Sequence, residues 1–280
     1  YNAEEYERYA NNAFFAQGEH RRAIADYTEA ARLDPRHLWA LGNRGRCHLL
    51  LGEAARAAAD FSQVLQLDPG SVRALGDRAA AYQAMQRHDL AAADFTEALR
   101  LEPAAWLYHG RGLSFASLGR HAEAATDFTE ALKRSPDSAS LLLARARALA
   151  RSGRPEEAVD DLGRALRLDP KSPDPLLQRA EVLTTLGRRE EALADLAAAI
   201  ALAPGHAAAL FQRGNLHAEM GDHFRAVQDY SEALRLRPES SAALGNRGSS
   251  YAQLGDLGLA LADLQQAVAL APEDPINLLN

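Results

Sequence analysis

Arginine and aspartate recur along this chain in two columns: Arg44, Arg78, Arg111, Arg145, Arg179, Arg213 and Arg247 in one, Asp26, Asp60, Asp94, Asp127, Asp161, Asp195, Asp229 and Asp263 in the other. A guanidinium offers a planar fork of donors that meets a carboxylate in two parallel hydrogen bonds, so the two columns are expected to form a ladder of ion pairs. The first copy has Ala10 in the arginine column. That gap points to a register in which each aspartate pairs with the arginine of the following copy, Asp26 with Arg44 through Asp229 with Arg247; pairing inside a copy is the competing register. In either register the ladder reads as structural, because partly buried guanidinium–carboxylate pairs fix orientation more than they add net stability.

The other reactive side chains do not converge. The nine histidines (His20, His37, His48, His88, His109, His121, His206, His217 and His223) are scattered over helix and turn positions without metal-ligand spacing. Cys47 is the single cysteine, which excludes an internal disulfide and a cysteine-rich zinc site. There is no phosphate loop, no dinucleotide fingerprint and no nucleophile elbow. Glu156-Glu157 and Glu190-Glu191 stand where second helices begin, and negative charge there suits the helix dipole. No catalytic residue, cofactor site or metal site is assigned, and the chain reads as non-enzymatic.

The elements that carry these residues are set by punctuation. Pro35, Pro69, Pro103, Pro136, Pro170, Pro204, Pro238 and Pro272 are separated by 34 residues, except for one interval of 33 after Pro103. A fixed spacing of this length marks one supersecondary unit copied end to end, each burying its apolar face against its neighbours. In residues 38–71 a first helix, A, runs to about Leu51, with Leu41, Gly45, His48 and Leu49 at helical spacing. Gly52 ends it, and helix B runs to about Leu67 before Asp68-Pro69. The turn glycine recurs in every copy but the third, which has Gln86. Small residues in helix A (Gly45, Ala79, Gly112, Ala146, Ala180, Gly214, Gly248) and an alanine followed four positions later by a large residue in helix B (Ala57 and Phe61, Ala226 and Tyr230) predict tightly interlocked hairpins.

Period, small-residue column and the alanine-to-large-residue spacing resemble those of the tetratricopeptide repeat family over nearly the whole chain. The resemblance implies an all-α, right-handed superhelical solenoid of eight helix-turn-helix repeats, at about 4–37, 38–71, 72–104, 105–138, 139–172, 173–206, 207–240 and 241–274. Residues 275–280 read as the stub of a following repeat or capping helix. It also implies that the helix A faces line a groove for a partner peptide. By that resemblance the groove shows Arg8, Asn12, Phe15, Trp39, Asn43, Arg46, Arg73, Trp106, His109 and Arg147, then Gln178, Phe211, Gln212, Asn215 and Asn246. Arg8, Asn12, Asn43 and Arg73 fall where chaperone-binding members clamp a terminal carboxylate, although Asp77 stands where that clamp has a basic residue. Trp39 and Trp106 either anchor a ligand or pack on an adjacent loop.

Charge refines the expectation. The chain of 280 residues has a formal net charge of −7, which disfavours nucleic acid and anionic membrane as partners. Within the groove, however, Arg8, Arg46, Arg73, Arg147 and Arg151 outweigh Glu5 and Asp77 in the first five repeats, whereas Asp174, Glu181 and Glu219 make the last three acidic. Such a field orients a protein or peptide segment that is acidic at the end facing repeats 1–5. No stretch is apolar enough for membrane insertion, and a cytoplasmic location is expected. The start at Tyr1 and the apolar last helix admit two further readings: the regulatory or substrate-recognition arm of a larger enzyme, and a module that self-associates through its C-terminal end.

Overall fold

The computed structural model describes residues 19–271, which form fifteen α-helices and, among the described residues, no strand. The first helix A with Arg8, Asn12 and Phe15, and the stub at 275–280, lie outside the described residues. Helix B of the first repeat is α1 (His20–Leu33). Repeats 2 to 4 follow as α2 (Leu38–Leu50) and α3 (Ala54–Leu67), α4 (Val72–Ala84) and α5 (His88–Leu101), α6 (Ala105–Ser117) and α7 (His121–Arg134). Then come α8 (Ala139–Arg151) and α9 (Pro155–Leu168), α10 (Asp174–Thr185) and α11 (Arg189–Leu202), α12 (Ala207–Glu219) and α13 (His223–Leu236), and α14 (Ser241–Leu254) and α15 (Leu257–Leu270). The all-α solenoid of tandem hairpins expected from the period is therefore the fold. The helices divide into two compact units, the first ending at Ser152 and the second beginning at Gly153.

Each hairpin turn among the described residues is made by a left-handed residue. Gly52, Gly119, Gly153, Gly187, Gly221 and Gly255 have φ between 73° and 87°. In the third repeat Gln86 takes the same conformation at φ 58°, alone among described non-glycine residues, where a Cβ costs roughly 1–2 kcal/mol. The proline fence sets the next helix start. Two residues after a proline, Ser71, Ser138, Ser240, His37 and His206 accept a hydrogen bond from the backbone N–H three residues on, capping helix A. The deletion after Pro103 removes this device: α6 begins after Ala104, which has no side-chain cap.

Interlocking follows the small and large columns. A β-carbon on Gly45 would lie 2.8 Å from the Phe61 ring, and one on Gly214 would lie 2.7 Å from Tyr230, so at these positions the rings seat against bare backbone. In the first unit Tyr27, Phe61, Phe95 and Phe128 are buried by this packing. In the second unit Leu196 and Tyr230 take the same role, Leu162 is buried, and Leu176, Leu183 and Leu216 join Leu196 in one apolar cluster. Burying each such side chain stabilises by about 1.5–3 kcal/mol relative to leaving it exposed. The last described helix leaves Leu257, Leu259 and Leu261 exposed.

Candidate functional site

The ladder exists, in the opposite register to the one expected. Arg44 donates Nε and Nη2 to Asp60 at 2.9 and 2.6 Å, sixteen residues on in its own hairpin. Arg78 with Asp94, Arg111 with Asp127, Arg179 with Asp195, Arg213 with Asp229 and Arg247 with Asp263 repeat this bidentate geometry at 2.6–2.8 Å for Nη2. The reason lies in the interlock: Gly45 receives Phe61 at the same sixteen-residue offset, so the neighbouring Arg44 and Asp60 are carried together. The preceding repeat contributes a hydroxyl instead of a carboxylate. Arg44, Arg78, Arg111, Arg145 and Arg247 give Nη1 to Thr28, Ser62, Thr96, Thr129 and Ser231 at 3.0–3.4 Å. Hydrogen bonding to the carboxylates holds the Arg78, Arg111, Arg179, Arg213 and Arg247 guanidinium groups above their ordinary pKa. Asp26, whose copy has Ala10 in the arginine column, is pushed above the ordinary carboxyl value by burial, opposed by Arg22. Committed to carboxylates in this way, these six guanidinium forks brace the hairpins.

On the other face of helix A the structure brings Trp39, Asn43, Arg46 and Arg73 together around one cavity of about 290 Å³ between α2 and α4, with Asp77. Arg46 donates Nε to Asp77 at 2.7 Å and Nη1 to the buried Asn43 at 2.8 Å. Arg73, largely exposed, lies 3.9 Å from the same Asp77 carboxylate. Arg46 is thus a brace between two repeats, and Arg73 is the cation presented to solvent. Trp39 is 43% exposed and meets Tyr27 edge to face at 5.8 Å. The tryptophan packs on a residue of α1 rather than on a loop, and it also lines the cavity.

Two further cavities occupy equivalent places in the two units. In the first, Leu113, His121, Phe128, Ala144, Arg147 and Arg151 line about 510 Å³ between repeats 4 and 5. In the second, Asn215, His223, Tyr230, Asn246, Ser249 and Gln253 line about 560 Å³ between repeats 7 and 8. Leu113 and Asn215 each stand two residues after a ladder arginine, and the other positions correspond in the same way. In the second unit Asn215 Oδ1 accepts from both Tyr230 and Asn246 at 2.8 Å. Burial pushes the Tyr230 hydroxyl well above its ordinary value, opposed by its hydrogen bonding to Asn246.

Family models described as tetratricopeptide repeat match residues 12–72, 109–173 and 211–275, with two further such models at 149–210 and 72–104. The chain belongs to the tetratricopeptide repeat family. Among solved structures it is similar to a tetratricopeptide repeat protein from Parabacteroides merdae, at 19% identity over 92% of this chain and 98% of that one, TM-score 0.65. The C-terminal part of a repeat-containing protein from Cytophaga hutchinsonii matches at 15% identity over 84% and 96%, TM-score 0.68. The MamA protein matches at 22% identity over 60% and 92%, TM-score 0.54. These likenesses carry the tetratricopeptide fold alone, and no curated protein matches the sequence.

The remaining tetratricopeptide groove positions divide between packing and exposure. Trp106 is 48% exposed, yet its ring fills the space above Gly76 where a β-carbon would fall, so it docks one repeat on the one before. His109 is half-buried, 6.0 Å from the Phe128 ring, and desolvation pushes its pKa down. Phe211 packs on Leu234, Ala243 and Leu244, and its ring lies 5.9 Å from Tyr230. Gln212 keeps a buried Oε1 without a hydrogen-bond partner, Gln178 is half-buried and Arg147 is exposed. Leu113 and Gln83 escaped the sequence reading, because an apolar or amide residue in helix A looks like core. The signal that finds Leu113 is its place two residues after Arg111, in the column that also holds Arg46 and Arg147. Among the described residues no group of histidine, cysteine and carboxylate side chains could hold a metal, and no helix is long and apolar enough to cross a membrane.

Proposed function

We propose that this tetratricopeptide array is a non-enzymatic scaffold that binds a peptide or protein segment on its helix A faces. The observation that carries the reading is the cavity between repeats 2 and 3, where a half-exposed tryptophan, a buried asparagine and an outward arginine converge. An aromatic face beside a cation held on rigid helices suits an extended acidic segment, because little side-chain freedom is lost on binding. The ladder supports the same reading, since it commits its arginine forks to carboxylates on the other face of helix A. Acidic residues of the partner engage Arg73.

The test is a random dodecamer peptide library selected on the intact chain, followed by fluorescence anisotropy of the selected peptides. Trp39→Ala and Arg73→Glu are each expected to weaken binding about tenfold, the loss typical of a hot-spot contact. Arg46→Glu is the wrong probe, because it sets a second carboxylate against Asp77 and breaks a brace. A failure to select any peptide, or selected peptides indifferent to both substitutions, overturns the reading.

A further inference from the structure

We propose that the cavity between repeats 4 and 5 is a selectivity pocket for an acidic–apolar pair in the partner segment: a large apolar side chain next to a glutamate. The inference rests on the peptide-binding reading above and adds to it a site and a ligand chemistry. Three observations carry it. The floor is apolar: the buried Phe128 lines it together with Leu113 and Ala144, and Leu113 is 41% exposed, an aliphatic side chain turned to solvent on a rigid helix. The wall is cationic: Arg147 and Arg151 stand one turn apart on α8, His88 and His121 are further lining groups, and no aspartate or glutamate lines the cavity. The flanking helices sharpen this, since α6 and α8 contain no carboxylate at all. The nearby acids of α7 are committed, Asp127 to Arg111 and Glu123 to Arg120.

The equivalent cavity of the second unit serves as an internal reference. There the apolar floor becomes Asn215, Asn246 and Tyr230, the two arginine positions become Ser249 and Gln253, and Glu219 brings a negative charge. The same backbone therefore tolerates either lining, and the apolar and cationic one is a choice made at surface positions. A cavity of about 510 Å³ accommodates more than one side chain. An apolar side chain gains by covering Leu113 and Phe128, and an adjacent carboxylate meets the exposed Arg151 guanidinium. A phosphorylated residue fits less well, because a dianion loses more hydration against Leu113, Ala144 and Ala148 than a carboxylate does.

The experiment grafts the second lining onto the first. A variant with Leu113→Asn, Ala144→Asn and Arg151→Gln places there residue types that the fold already carries at equivalent positions. Dodecamers selected on the wild-type chain are expected to be enriched in apolar–glutamate pairs, and their affinity by fluorescence anisotropy is expected to fall about tenfold on the graft. Arg151→Gln alone, at an exposed position, is expected to give about a threefold loss with the melting temperature unchanged. Peptides that depend on Trp39 and Arg73 but bind the graft as well as the wild type overturn this pocket and leave the scaffold reading intact. Absence of any selected peptide overturns both. Tighter binding of synthetic peptides carrying phosphoserine in place of the glutamate overturns the carboxylate assignment.

Discussion

Leu113, Ala144 and Phe128 line a cavity in the first unit at the places that Asn215, Asn246 and Tyr230 hold in the second, where they share hydrogen bonds. The ladder rungs beside them do not differ: Arg111 grips Asp127 and Arg213 grips Asp229 with the same two bonds. The contrast teaches that this array separates its tasks around helix A. A step of two residues turns about 200° around a helix, so the rung and the cavity position lie on opposite faces. One face is fixed by pairing and interlock; the other is free to change chemistry from repeat to repeat.

The largest test removes the common frame. Asp127→Ala and Asp229→Ala each leave a partly buried guanidinium unpaired, and each is expected to cost about 3 kcal/mol in urea denaturation. Equal losses in the two units sustain the comparison, and a loss confined to one unit breaks it. A smaller effect is expected from giving the second cavity the first one's floor. Asn215→Leu with Asn246→Ala strands the buried Tyr230 hydroxyl at a cost of about 2 kcal/mol, most of which Tyr230→Phe should restore. If the third substitution restores nothing, the hydroxyl is not what distinguishes the two floors. The smallest effect concerns the bond from each ladder arginine to the preceding repeat. Arg111 has Thr96 for it, whereas Arg213 faces a cavity that includes Ala197. Thr96→Ala is expected to lower, and Ala197→Thr to raise, stability by about 0.5 kcal/mol each, read as opposite shifts in melting temperature.

Much of the frame was legible in the residues. The turn glycines, the lone substitution at Gln86, the proline that precedes each helix A and the small-beside-large columns all act locally, within one hairpin, where covalent spacing and backbone sterics decide. The ladder was legible as a pairing of types but not in register. The missing first arginine points to pairing between neighbours, whereas the sixteen-residue offset of Gly45 and Phe61 specifies pairing within the hairpin. The site was legible in part. Trp39, Asn43, Arg46 and Arg73 do surround one cavity, yet which arginine is a brace and which is presented depended on Asp77, 31 residues from Arg46. Leu113 went unseen because an exposed leucine and a core leucine look alike in one dimension.

By itself, then, the sequence determined the repeat, the helices, their caps and turns, and the residue types available for pairing, because each of these depends on neighbours within about one hairpin of chain. Only the tertiary structure decided which carboxylate each arginine meets, which cations remain outward, and that two equivalent cavities carry opposite linings. Those outcomes depend on side chains brought together from successive helices, and a separation of 16 or 31 residues becomes a contact only when packing selects one register over its competitors.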